Sequence, residues 1–153
     1  MIKLDAIDRR LLFQLQEDSK RTTKEYAYLL GLSTTAVYER IKRLEKAGVI
    51  TKYVALVDKQ KVDKAFVVLC HVKLMQHIKE YVLQFEREIS QLDEVAECYH
   101  ISGDYDYILK IYVRDMQSYR DFMVTKLTAI EHIGSTQSSF IINEVKHTTA
   151  INL

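Results

Sequence analysis

Six side chains between Thr35 and Lys46 could do chemistry together. Helical residues turn by about 100° each, so Thr35, Tyr38, Glu39, Lys42 and Lys46 point one way, with Arg43 at the edge of that side. Val37, Ile41 and Leu44 form a narrow apolar stripe that can pack on a core. Hydroxyls and one carboxylate near the start of such a helix can meet base edges in a DNA groove. Cations further along can meet phosphates. A solvated surface helix would carry similar charges, so the pattern alone is weak. Its setting strengthens it: a short helix, a tight turn and a capped second helix in that order.

A second concentration of polar chemistry is the loop Ser102, Gly103, Asp104, Tyr105 and Asp106. Glycine lets the backbone approach a ligand and aim amides at an anion, while two carboxylates could hold an ammonium group. Both features together suit a free amino acid. A plain hairpin turn with solvated aspartates would read the same from spacing alone. Thr136, Gln137 and Ser138, the polar start of a later strand, could line the same site.

Other chemistry finds little support. The five histidines, His71, His77, His100, His132 and His147, show no metal-ligand spacing. No phosphate-binding loop, dinucleotide fingerprint or zinc-protease motif is present. Neither a cofactor, a metal nor a catalytic residue is expected. Cys70 and Cys98 lie in apolar, strand-like stretches and read as buried free thiols of a reducing compartment.

The elements that must position these groups follow from periodicity and punctuation. Leu4, Ile7, Leu11, Leu12 and Leu15 recur at helical spacing, which predicts a first helix over 4–18 with Asp5, Asp8, Arg9 and Glu17 on its other faces. Thr22 and Glu25 form a capping box for a second helix, which Gly31 ends. Ser33 caps the third, which runs to about Ala47 and stops at Gly48. Val49, Tyr53, Ala55 and Val57 alternate enough to predict a strand leading out of this head. Beyond a lysine-rich boundary at 58–64 come, in order, a strand (AFVVLCHVKL), a helix, a strand (VAECYHI), a turn, a strand (ILKIYV), a helix capped by Asp115, and a last strand. This β-α-β-β-α-β order is that of a ferredoxin-like sandwich. Its sheet would be apolar on both faces around Val67 and Leu69, so a second subunit is the expected cover of the face without helices.

The totals agree. A chain of 153 residues suits one domain or two small ones. Hydrophobic residues at 48% and charged residues at 28% are those of a globular protein. No apolar run approaches the roughly 18 residues of a membrane span, and the N-terminus lacks a secretory pattern. A cytoplasmic protein without membrane contact is expected. Residues 1–60 hold 12 basic and 8 acidic side chains, the rest 10 and 13, so the basic excess lies on the side of the proposed DNA helix.

Four stretches in the right order, LDAIDRRLLFQLQEDSKRT, LGLSTTAVYERIKRLEKAGVI, ISGDYDYILKI and EVKHTTAINL, make the chain resemble the leucine-responsive/asparagine-regulatory (Lrp/AsnC, or feast/famine) transcriptional regulators over almost its whole length. The resemblance implies an α+β chain: a winged helix-turn-helix head over 1–50, a linker strand over 51–64, and a ferredoxin-like effector-binding and oligomerisation domain over 65–153. It implies double-stranded DNA and a small amino acid or related metabolite as partners. It also implies a homodimer that assembles further, into tetramers or octamers. Ser33, Thr34, Thr35, Tyr38, Arg40 and Arg43 then fall in the DNA-reading helix, and Ile101 to Asp106 in the effector loop. The chain departs from the family pattern at Asp63-Lys64, where a glycine often stands. Two rivals differ in function. Some tetrapyrrole (sirohaem) decarboxylases resemble the same two-domain chain, and His100 is the histidine beside the proposed loop. An architectural DNA binder without an effector is the other.

Overall fold

The computed structural model describes residues 2–153. They form two compact units: the described residues up to Leu56 together with Val145–Leu153, and Val57–Glu144. The head is thus built from both ends of the chain, and residues 145–153, expected in the second domain, group with it.

Three helices make the head: α1 (Ala6–Glu17), α2 (Thr23–Leu30) and α3 (Thr34–Lys46). Local chemistry sets their ends as expected. Thr22 and Glu25 cap α2 reciprocally, and the Ser33 hydroxyl accepts from the Ala36 amide at 3.1 Å. Gly31 closes α2 at φ +69°, a left-handed conformation that costs a side chain about 1 kcal/mol or more. Leu11, Leu12, Leu15, Tyr26, Ala27, Leu30, Val37 and Leu44 form the core, with Leu4, Leu32 and Ile41 packed at its margin. The C-terminal tail reaches α1: the Gln16 side-chain amide donates to the Ile151 carbonyl at 3.0 Å and accepts from the Ile151 amide at 2.7 Å.

Two expectations for the head change. Asp8 is fully buried rather than on an outer face. Residues 51–57 form no strand. A strand needs a ladder, and this stretch finds none among the described residues. Val54, Leu56 and Val57 are left exposed.

The second unit is the sandwich the element order implies. Strands β1 (Phe66–Leu74), β2 (Val95–His100), β3 (Tyr107–Val113) and β4 (Ile133–Phe140) form one antiparallel sheet in the order β2-β3-β1-β4. Helices α4 (Lys79–Ile89) and α5 (Met116–Thr125) cover one face, and a 3₁₀ turn, Leu127–Ala129, follows α5. Val68, Cys70, Val72, Leu109 and Ile111 meet Phe85, Ile89, Tyr119, Phe122 and Leu127 there. Before β1, Asp63 stands at φ +55°, the conformation glycine accepts most easily. Cys98 is exposed on the edge strand β2, so only Cys70 is the buried thiol expected.

Candidate nucleic-acid interface and effector loop

α3 is held by one side and open on the other. Val37 and Leu44 are fully buried, while Ser33, Thr34, Thr35, Tyr38, Glu39, Lys42, Arg43 and Lys46 are exposed. Hydroxyls and the Tyr38 ring therefore crowd the capped N-terminal end, where the amides and helix dipole also favour an anion. Lys42 lies 5.8 Å from the centroid of the Tyr38 ring and 2.8 Å from Glu45. Glu45 also accepts from the Tyr53 hydroxyl at 3.0 Å. Burial, with the Glu45 bond and charge, pushes the Tyr53 phenol up to about 12.

The arginines are more constrained than sequence suggested. Arg40 Nη1 lies 2.7 Å from both Asp5 and Asp8, and Arg43 Nη2 lies 2.6 Å from each Asp8 oxygen. Asp5 and Asp8 also cap α1 reciprocally, the Asp8 amide donating to Asp5 at 2.7 Å and the Asp5 amide to Asp8 at 3.0 Å. The Asp8 amide and the Arg40 guanidinium hold the Asp5 carboxyl below its ordinary range. The Asp5 and Asp8 hydrogen bonds raise Arg40 in turn. No sequence signal marks this cluster, because its members are 32 and 35 residues apart.

In the second unit the loop from Ile101 to Asp106 joins β2 to β3. Gly103 sits at φ +134°, a conformation that favours glycine, with open space where a Cβ would be. The two aspartates diverge. Asp104 is exposed. Asp106 is tied down: its amide donates to the Val72 carbonyl at 2.9 Å and its carbonyl accepts from Ile101 at 2.8 Å. Its carboxylate accepts from the Leu74 amide at 2.8 Å and meets His77 Nε2 at 2.6 Å. Burial opposes ionisation of Asp106, but the Leu74 amide and His77 outweigh it and hold the carboxyl below its usual value.

The polar start of β4 splits between faces. Gln137 accepts from the Tyr105 hydroxyl at 2.8 Å, on the face away from the helices. Ser138 pairs with Cys70 in register and bonds the Tyr119 hydroxyl at 2.5 Å, on the helix face. Thr136, opposite Val72, points the same way as Ser138. Gln137 is thus the member of that trio that joins Tyr105. His71, which sequence reasoning passed over, lies 5.4 Å from the Tyr105 ring, and its Nδ1 is buried without a hydrogen-bond partner. His100 stacks on Tyr107 at 4.6 Å and lies 3.9 Å from Glu86. Among the described residues no His/Cys/Asp/Glu group is arranged to hold a metal, and no helix is long and apolar enough to cross a membrane.

Comparison with known proteins decides the family. Residues 4–45 match the AsnC-type helix-turn-helix domain, and residues 67–151 match the Lrp/AsnC ligand binding domain. The chain belongs to the Lrp/AsnC family of transcriptional regulators. Leucine-responsive regulatory protein of Haemophilus influenzae is 37% identical over 98% of this chain and 90% of its own length. That of Escherichia coli K12 is 34% identical over 97% and 90%. Among solved structures, an AsnC family transcriptional regulator from Agrobacterium tumefaciens superimposes with a TM-score of 0.93 at 36% identity, covering 97% of this chain and 96% of the other. A transcriptional regulator from Neisseria meningitidis, solved as an L-Met complex, gives 0.94 at 30% identity with the same coverage. As an Lrp/AsnC protein this chain is a DNA-binding regulator with a ligand-binding domain, not an enzyme, and the decarboxylase reading falls.

Proposed function

We propose that α3 is the surface that enters the DNA major groove, with the loop 101–106 as part of the site for a small amino acid. The observation that carries the first assignment is the split of α3: Val37 and Leu44 at zero exposure on one side, an uninterrupted polar face from Ser33 to Lys46 on the other. Thr34, Thr35, Tyr38 and Glu39 read base edges from the capped end. Lys42, Arg43 and Lys46 contact phosphates, Arg43 through the guanidinium edge not spent on Asp8. Arg40, bound to two carboxylates, holds the helix in place.

In the effector loop, Asp104 offers the free carboxylate for an ammonium group, and Gly103 the open backbone for a carboxylate. Asp106 shapes the loop from within. Gln137, Tyr105 and His71 form the neighbouring wall on the sheet's helix-free face. That face, carrying Leu69, Ile108, Lys110 and Tyr112, packs on the same face of a second copy, which would also answer the orphaned His71 nitrogen. Larger even assemblies follow from such dimers, in the cytoplasm.

Fluorescence anisotropy tests this with the DNA upstream of the protein's own coding region, at two salt concentrations, with random DNA as control and each amino acid added in turn. Selective, salt-sensitive binding that one amino acid shifts is the expected result. Selective binding by an Asp104→Ala variant that still responds in full would place the effector elsewhere. Equal binding to every recovered sequence would leave an architectural binder.

A further inference from the structure

The DNA-reading helix carries four cations, and three are already answered inside the chain. Arg40 meets Asp5 and Asp8, Arg43 meets Asp8, and Lys42 meets Glu45. Among the described residues, Lys46 is the one of the four that forms no ion pair. Asp8 is the unusual partner. It lies on α1, is fully buried, and is the one charged residue in the core of the described chain. One of its oxygens takes both guanidinium groups, and the other takes Arg43 again and the Asp5 amide. With Asp5, the cluster has two negative and two positive charges and sums to zero.

That neutrality has a consequence for recognition. Attraction of cations to phosphates is indifferent to sequence, and specificity is the difference between binding to one sequence and to all others. A free arginine on this face would strengthen both equally and let the protein hold DNA anywhere. An arginine pinned by one edge, with its side chain still 46% exposed, meets only a phosphate placed to suit it.

We propose that Asp8, assisted by Asp5, is a specificity-determining residue of the DNA-binding head. It cancels much of the charge of Arg40 and Arg43 and fixes the direction of Arg43, so that sequence-indifferent binding is held down. This rests on α3 being the DNA-binding surface.

The test uses the full chain and two duplexes: the tightest binder that the wild-type protein recovers from a randomised pool, and a random-sequence control. Asp8→Asn keeps the size and the acceptor for the Asp5 amide while removing the charge. The variant is expected to bind random DNA about tenfold more tightly near 0.1 M salt, the equivalent of one added phosphate contact. Its plot of log K against log salt steepens by about 0.9 per head, and its preference for the selected duplex shrinks. Adding Arg43→Gln to Asp8→Asn returns the slope toward the wild-type value, because the freed cation is the one removed; a purely structural role for Asp8 would not produce that rescue. A folded Asp8→Asn protein with unchanged slope and preference overturns the proposal, as does weaker binding to random DNA. If circular dichroism shows Asp8→Asn unfolded, Asp5→Asn decides. It sits at the surface, keeps its capping oxygen and loosens Arg40, so a smaller steepening supports the proposal and none overturns it. A wild-type protein that binds DNA with no preference for any recovered duplex leaves an architectural binder with no specificity for Asp8 to determine, and overturns the proposal; one that binds no duplex sinks the α3 assignment itself, before the variants are compared.

Discussion

The two units each tie down an aspartate, fully buried in the head and partly buried in the second unit, and they use it differently. In the head, Asp8 spends its charge on two arginines of another helix, on the face proposed to meet DNA. In the second unit, Asp106 spends its charge on a backbone amide and a histidine, shaping the loop it belongs to. The first arrangement couples the fold to the surface that acts, because loss of the carboxylate releases cations. The second is confined to the loop, because loss of the carboxylate releases an amide and an imidazole. Burial alone does not show which role an acidic side chain has; its partners do.

The largest effect that separates the two is Asp8→Ala. Removing the fully buried carboxylate leaves Arg43 without its partner, Arg40 with Asp5 alone and a gap in the core, and the head should lose about 3 kcal/mol, read by denaturant unfolding of the helical signal. A loss under about 1 kcal/mol would mean that water answers the arginines as well as Asp8 does, and the comparison would lose its first half. Next is Asp106→Ala, which leaves the Leu74 amide without its acceptor. Destabilisation of the second unit by about 1–3 kcal/mol is expected. Asp104→Ala, in the same loop, should leave stability unchanged while blunting the response to an amino acid. Equal losses of stability from the two variants would erase the distinction drawn between them.

Smaller effects sharpen the picture. Ser33→Ala removes the cap of α3 and should cost about 1 kcal/mol, with a matching loss of affinity for DNA if the capped end is the reading end. Its thermal midpoint and binding isotherm are the measurements; a stability loss with full affinity would shift base reading toward the middle of the helix. The smallest effect is in acid. The Ser118 amide and hydroxyl, with Arg114, hold the Asp115 carboxyl at about 2, below its ordinary 3.8. A carboxyl depressed by folding contributes stability that is present in full above about 3.8 and is lost as pH falls toward about 2. Asp115→Asn keeps a capping side chain and should flatten that limb of an acid titration of the second unit, leaving neutral pH little changed.

The helix ends were legible because capping is local. Thr22 with Glu25, Gly31, Ser33 and Asp115 all act within a few residues, and each stands where it was expected. The order of strands and helices was legible for a similar reason: apolar periodicity records which face is buried, whatever it packs against. Sequence also placed the outward polar face on α3 and the polar loop between β2 and β3. It grouped Thr136, Gln137 and Ser138 as one lining, and the sheet turns Thr136 and Ser138 to the helix face and Gln137 to the other, because a strand turns alternate residues to opposite sides and the register was not visible.

What the chain's own sequence determined is thus the family, the element order, the caps and the outward face of α3, all of which depend on neighbours or on repeating patterns. Tertiary structure alone decided that Asp8 is buried against Arg40 and Arg43, that Asp106 is bound to Leu74 and His77, and that the C-terminal residues return to Gln16. It also decided that residues 51–57 stay unpaired within one chain. Each of these depends on which distant groups arrive to satisfy a charge or a hydrogen bond, and a buried charge must be answered wherever its partner lies in the chain.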